Sequence, residues 1–227
     1  MEKLIAVLRK FEQKREELIT EGKWNEDAVV ECFLPCAKDI LCNGYFLVNN
    51  EYIIDLGSIE LYYHEEIDNG IKDYAMYHTN ERLPDIYKKR IDKYSVDYLP
   101  VFYKEINKHN GYPYFKIGSV NLHQSGVDIT FESEEKKYRA SFLIRSYRML
   151  KKEEINNNNI LYDPCSSHLY EDMYNAGLLS LSNSNISIKW VENIVLKKNL
   201  DEPCPRRNLD MKPWQFQIKG LKEKEIK

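Results

Sequence analysis

Hydrophobic and polar side chains alternate most regularly between residues 53 and 63. This stretch is rich in branched and aromatic residues, which predicts a β-strand, and successive side chains of a strand point to opposite faces. The alternation places Ser58, Glu60, Tyr62 and His64 on one face and Ile59, Leu61 and Tyr63 on the other. We expect the second face to pack in the core, which leaves the first able to carry chemistry.

Apolar residues at helical spacing mark the first 24 residues of the chain. Leu4, Val7, Leu8, Phe11, Leu18 and Ile19 recur among charged residues, which predicts an amphipathic helix to about Gly22 that packs on the main domain. Three further helices are predicted: a short one from Pro35 to Asn43-Gly44, a surface helix over Pro84–Tyr94, and one that Ser167 caps and that runs to Gly177.

Further strands are predicted over residues 45–48, 114–121, 127–132, 138–147, 186–192 and 214–218. Asn49-Asn50 turns the first of these back into the strand of Glu60, and a polar turn at Ser133–Lys136 joins the third to the fourth. We therefore expect an α+β fold with a mostly antiparallel sheet. The main domain is expected over residues 25–220, followed by a charged tail, 221–227, that frays.

Length and charge narrow the class of protein. With 227 residues, 43% of them hydrophobic, the chain can bury the core of one large domain. The formal net charge of −3 gives no global positive field, so any nucleic-acid surface has to be a local patch. No apolar run reaches the roughly 20 residues that span a bilayer, and the first residues lack the layout of an export signal. We expect a cytoplasmic protein with no membrane partner and favour a monomer.

The five cysteines are an odd number in a chain without export features, which favours reduced thiols. Cys32 and Cys36 could share a helical face as metal ligands, but Pro35 lies between them and no paired histidines follow at zinc spacing. We therefore expect buried structural thiols, no metal site and no cofactor.

Glu60 is the candidate for acid–base chemistry. A glutamate held beside an aromatic ring on a rigid strand, in a partly dry setting, has its charged form disfavoured and its basicity raised, as a general base requires. The alternative is a solvated glutamate on the surface of a sheet, which is common.

The order of several short motifs resembles the alkyladenine (3-methyladenine) DNA glycosylases. The helix and strand that open that family are similar to Ala37–Gly44 followed by Tyr45, and its Glu-x-Tyr strand is similar to Glu60-Leu61-Tyr62. Its Asp-x-Ala-x-His motif resembles Asp73–His78 with one residue inserted, and its strand ending in arginine resembles Ala140–Arg145. Near the C-terminus, Pro205-Arg206 and Pro213–Phe216 are similar to two further pieces of the family.

This resemblance implies a curved antiparallel sheet flanked by helices and a function in the repair of double-stranded DNA. Glu60 would activate the water that attacks the glycosidic carbon of an alkylated or deaminated purine. The flipped base would lie between Tyr62 and His78, with Tyr77 beside it. Arg145, Arg139 and Arg148 would contact the phosphate backbone.

His123 and Asp128 carry a separate hypothesis. Asp128 lies on an otherwise apolar strand and needs a partner, which His123 could supply across a tight turn at Ser125-Gly126. The pair then either holds the hairpin together, which we favour, or belongs to a pocket rebuilt for another small ligand.

Two alternatives to an enzyme stay open. The family's aromatic wedge falls near Ser125, which is not aromatic, so the chain could be an inactive scaffold that binds nucleic acid or a small ligand. It could also be an interaction protein that docks a partner through its first helix and a surface rich in its 17 tyrosines.

Overall fold

A computed structural model describes residues 1–76, 78–81, 111–123, 126–155, 159–178, 186–193, 198–207 and 209–225, with the backbone alone for 122 and 123. Within these ranges the elements follow in the order α1 (Glu2–Thr20), α2 (Glu26–Cys42), β1 (Gly44–Val48), β2 (Tyr52–Glu65), β3 (Ser119–His123), β4 (Gly126–Thr130), β5 (Tyr138–Lys151), a 3₁₀ turn (Lys152–Glu154), α3 (Ser166–Asn175), β6 (Ile188–Glu192) and β7 (Gln215–Gln217).

The strands form one curled antiparallel sheet in the order β3-β4-β5-β2-β1-β6, and β7 pairs with β2 beside β1. At its centre, β2 and β5 are each 14 residues long and pair along most of their length. With the helices, this sheet gives the α+β class that the sequence predicts.

One face of the sheet holds the core. Ile59, Leu61 and Tyr63 are fully buried among the helices, as the period of two predicts. The rings of Phe33 and Phe131 stack with centroids 5.6 Å apart, and Phe11 meets the edge of Tyr63 at the same separation. Aromatic burial of this kind is the main source of stability in such a layer.

Helix α1 uses its apolar stripe inside the molecule. Leu4, Leu8 and Phe11 are fully buried, and the helix ends at Thr20, close to the predicted Gly22. Gly22 follows with a positive φ of 67°, a conformation that suits glycine after a helix end. The stripe therefore packs on the core except at Ile19, which is 42% exposed.

Helix α2 corrects the sequence prediction, because it begins at Glu26 and not at Pro35. The side chain of Asn25 accepts a hydrogen bond from the Ala28 N–H at 2.9 Å, and this cap starts the helix. Pro35 lies inside the helix on its exposed side. Cys32 and Cys36 are buried, as expected, and burial raises the pKa of their thiols to about 11 and about 12.

The turn between β1 and β2 is the predicted one. Asn49 and Asn50 have positive φ of 49° and 59°, a conformation that asparagine tolerates in turns, and Val48 pairs with Tyr52 across the three-residue loop. β3 begins at Ser119, later than the predicted residue 114, because the N–H groups of Tyr112 and Phe115 donate to the side chains of Asn80 and Glu132. The helix predicted over 84–94 lies outside the described residues.

The sequence analysis expects the tail to fray, but residues 221–225 are hydrogen-bonded to the rest of the protein. The N–H of Tyr162 donates to the Lys222 carbonyl at 3.0 Å, and the Lys224 N–H donates to the Tyr162 carbonyl at 2.8 Å. Leu221 packs on the core, and Glu223 pairs with Arg207 at 2.5 Å. The charged composition of this segment was therefore a poor guide to its structure.

Candidate functional site

The polar face of β2 is buried under other parts of the chain. Ser58, Glu60 and His64 are each 0% exposed, although the sequence places them away from the core. Burying polar groups is costly unless each finds a partner, so their contacts define what this face can do.

Three donors surround the Glu60 carboxylate. The backbone N–H of Arg207 donates to Oε1 at 2.8 Å, and the Tyr62 hydroxyl donates to Oε2 at 3.0 Å. Arg145 Nε lies 2.7 Å from Oε2, which makes a close ion pair even though its N–H is poorly aligned for a hydrogen bond. Glu60 is therefore fully buried and is held by partners from β2, β5 and the C-terminal segment.

A bulge brings Arg145 to Glu60. Ile59 pairs with Ile144 and Ser58 pairs with Ser146, so Arg145 is an extra residue in β5 at this point. Bulges re-aim side chains beside functional sites. Burial acts to lower the pKa of Arg145, but the charge of Glu60 and the neighbouring Tyr62 hydroxyl outweigh it and raise that pKa. The side chain remains 24% exposed, so it links the buried carboxylate to the surface.

Arg206 braces Tyr62 from the C-terminal segment. Its guanidinium lies 4.9 Å from the centre of the Tyr62 ring and 5.1 Å from that of Trp214. It also binds both carboxylate oxygens of Asp73, at 2.8 and 3.0 Å, and Asp210 at 2.5 Å. Burial and the nearby Glu60 charge raise the pKa of the Tyr62 hydroxyl, so it acts as a donor. One face of the Tyr62 ring is thus taken by a cation.

His64 continues this network along β2. Its Nδ1 accepts the Asp73 N–H at 3.2 Å, so the ring proton is assigned to Nε2, which lies 3.9 Å from Glu81. Burial, followed by the charge of Lys72, lowers the pKa of His64.

His78 lies in a second cluster with Arg139. Its Nε2 is 2.5 Å from a carboxylate oxygen of Glu132, and its ring meets the edge of Phe115. Arg139 is fully buried and binds Glu66 at 2.7 Å and the carbonyl of Tyr112 at 2.7 Å. The structure therefore gives His78 different neighbours from those of Tyr62.

Arg148 lies in a third cluster. It is 5% exposed and its Nε donates to Asp55 at 2.8 Å; Tyr162 donates to the same carboxylate and Lys198 binds it as well. The guanidinium groups of Arg139 and Arg148 are thus engaged inside the protein, where a phosphate does not reach them. Of the three arginines expected to face DNA, Arg145 is the most exposed, at 24% against 5% for Arg148 and 0% for Arg139.

The hypothesis for His123 and Asp128 concerns the β3–β4 hairpin. Asn121 pairs with Asp128 and His123 with Gly126, so the predicted hairpin is present. The side chain of His123 lies outside the described residues, as do Tyr77, Gln124 and Ser125.

Sequence reasoning missed the roles of Asp73, Arg206 and Arg207. Asp73 and Arg206 belong to two of the motifs that resemble the glycosylase family, but no sequence pattern near either residue indicates that the two form an ion pair. The Arg207 contact uses a backbone N–H, which carries no sequence signature.

A polar cleft of about 820 Å³ lies beside the second cluster, between Glu66, Lys72, Tyr114 and Lys137.

The described residues lack a clustered set of metal ligands and a helix suited to span a membrane. They contain no group of three or more His, Cys, Asp or Glu side chains placed to hold a metal ion. No helix among them combines the length and apolar character needed to cross a membrane.

Comparison with known proteins gives no relative. No protein-family model, no curated protein and no solved structure matches this chain.

Proposed function

We propose that this protein is a DNA glycosylase of the alkyladenine type, which hydrolyses the bond between a damaged purine and its sugar in double-stranded DNA. The observation that carries the proposal is the meeting of Glu60, Tyr62 and Arg145 in one cluster, because Tyr62 and Arg145 are 83 positions apart. All three belong to motifs that resemble that family.

The carboxylate has room for one more donor. A carboxylate offers about four acceptor positions; hydrogen bonds from Arg207 and Tyr62 occupy two of them, and the ion pair with Arg145 covers a third. We assign the fourth to the attacking water. The water oxygen bonds to the glycosidic carbon, its proton passes to Glu60, and the bond to the purine nitrogen breaks with its electron pair leaving on the base.

Tyr62 and Arg145 would divide the remaining tasks. Because Arg206 covers one face of the Tyr62 ring, the flipped base has to stack on the other. Arg145 holds the carboxylate in place through its ion pair, and its exposed part is the section of the cluster nearest to an incoming phosphate.

The test is excision from duplex DNA. Oligonucleotides that carry hypoxanthine or a methylated purine are incubated with the protein, and abasic sites are revealed by alkali. We expect excision by the wild type and a loss of at least about 100-fold in Glu60→Gln, the usual contribution of a general base.

Glu65→Gln is the matched control. Glu65 lies on the same strand, is 2% exposed and pairs with Arg15 at 2.5 Å, so the substitution removes a buried charge of the same kind elsewhere. Excision should survive it. Equal activity in Glu60→Gln and the wild type would refute the proposal.

A binding module without chemistry is the second candidate. It is favoured by the 0% exposure of Glu60, because a carboxylate that is fully buried among three partners suits a structural role. For this function, salt-dependent DNA binding survives Glu60→Gln, is lost in Arg145→Ala, and occurs without excision.

A further inference from the structure

An apolar cavity of about 160 Å³ lies inside the curl of the sheet, away from the Glu60 cluster. All six strands from β1 to β6 contribute to its lining, and helix α3 covers it with Leu169 and Met173. The two ends of the sheet meet around it, because Val120 of β3 and Ile188 of β6 both line it. The cavity is therefore a consequence of how far the sheet curls.

Every described side chain in the lining is apolar. The floor is formed by buried residues, among them Ile129 at 1% and Ile144 at 2% exposure. Val120 and Ile188, by contrast, are partly exposed and lie at the rim. This gradient of exposure gives the cavity an entrance between the two ends of the sheet.

The chemistry of this lining selects its occupant. A buried water needs two to four polar partners, which these side chains do not offer. Apolar cavities of about 150 Å³ stay dry and bind benzene or xenon. A charged or strongly polar molecule would lose its hydration without compensation.

We propose that the cavity is a binding site for a small uncharged apolar molecule about the size of one aromatic ring or a fused pair. Larger ligands such as acyl chains need pockets of about 300 Å³ or more. This site is independent of the proposed glycosylase function, because no residue of the Glu60 cluster lines it.

Thermal unfolding with added benzene or indole tests the proposal. A ligand that binds only the folded protein raises the melting temperature by about 3 to 6 °C at ten times its Kd. Benzoate serves as a matched probe, because it has the same ring with a charge and should give no shift. No shift with benzene or indole, or an equal shift with benzoate, would overturn the site.

Two valine variants locate the binding. Val120→Phe places a ring in the entrance and should abolish the shift. Val191→Phe adds the same ring on β6 but beside a separate apolar cluster of Leu47, Ile53 and Leu150, so it should leave the shift intact. A shift that survives Val120→Phe would contradict the assignment.

Methyl NMR of the wild type keeps the test independent of how these variants fold. Addition of benzene should move the methyl resonances of Ile129, Ile144 and Leu169, which line the cavity. The methyls of Leu47 and Leu150 should stay in place. Unchanged resonances at the three lining residues would also overturn the proposal.

Discussion

At the scale of single residues, Arg206 is the side chain on which the polar face most depends. It joins Asp73, Asp210, Tyr62 and Trp214, and it is only 2% exposed. Its positive charge is balanced by the carboxylates of Asp73 and Asp210, which would lose their cation if Arg206 were removed. Removal of one member of such a buried pair is far more costly than replacement of the whole pair.

We expect Arg206→Leu to lower the free energy of unfolding by about 3–5 kcal/mol, since it leaves Asp73 buried and unpaired. Urea unfolding measures the change. Arg207→Leu is the control: it removes a partly exposed ion pair with Glu223 and should cost no more than about 1 kcal/mol. Similar losses of unfolding free energy in both variants would show that the Arg206 network stabilises the protein no more than a surface ion pair does.

The sequence predicts the residues of the site better than their partners. The period of two correctly separates Glu60 and Tyr62 from the core face, because it depends only on local strand geometry. The pairing of Glu60 with Arg145 depends on a bulge between distant strands. The Arg207 N–H depends on how the C-terminal segment docks, which no local pattern encodes.

At the scale of elements, helix α2 shows where local rules mislead. Proline is favoured in the first turn of a helix, and so Pro35 predicts a helix start. Here the Asn25 cap and the acidic Glu26 and Asp27 start the helix instead, and Pro35 is tolerated because it faces solvent. Strands and turns with strong local patterns, such as β1, β2 and Asn49-Asn50, were predicted close to their observed positions.

Pro35→Ala should stabilise the protein. Alanine restores an N–H to the interior of α2 and removes a ring that clashes with the preceding turn, effects worth up to about 3 kcal/mol. The greater freedom of the unfolded chain offsets about 0.4–1 kcal/mol of this. We expect a net gain of up to about 2.5 kcal/mol by urea unfolding.

Lys38→Ala is the control, because it makes an exposed change in the same helix without restoring an N–H. It should alter stability by less than about 0.5 kcal/mol. A destabilising effect of Pro35→Ala would contradict the prediction and would mean that the proline ring stabilises this helix.

At the scale of the whole molecule, buried titratable groups tie stability to pH. Burial holds the pKa of His64 below its ordinary 6.5, so as the pH falls below 6.5 the unfolded chain binds a proton that the folded chain does not. Glu65 and Glu66 also have pKa values below their ordinary 4.5: burial opposes this, but hydrogen bonds and their arginine partners outweigh burial. Stability should therefore fall in two stages on acidification.

His64→Asn should remove the first stage. The asparagine oxygen replaces Nδ1 as acceptor for the Asp73 N–H but does not titrate. Between pH 6.5 and 5, the contribution of His64 to the slope is at most about 1.4 kcal/mol per pH unit, and urea unfolding across this range should show its loss. The same change at the exposed His168 should leave the slope in place. A slope that persists in His64→Asn would assign the pH dependence to another group.

The hydrogen bond from Arg207 to Glu60 has a consequence for a chain still being synthesised. The two residues are 147 positions apart, so at about 5–20 residues per second the ribosome adds Arg207 roughly 7–30 seconds after Glu60. Until then the carboxylate lacks a contact that fixes its direction. An incomplete nascent polypeptide would thus carry Glu60 without this hydrogen bond, and the buried setting of the carboxylate would be completed only when the C-terminal segment docks.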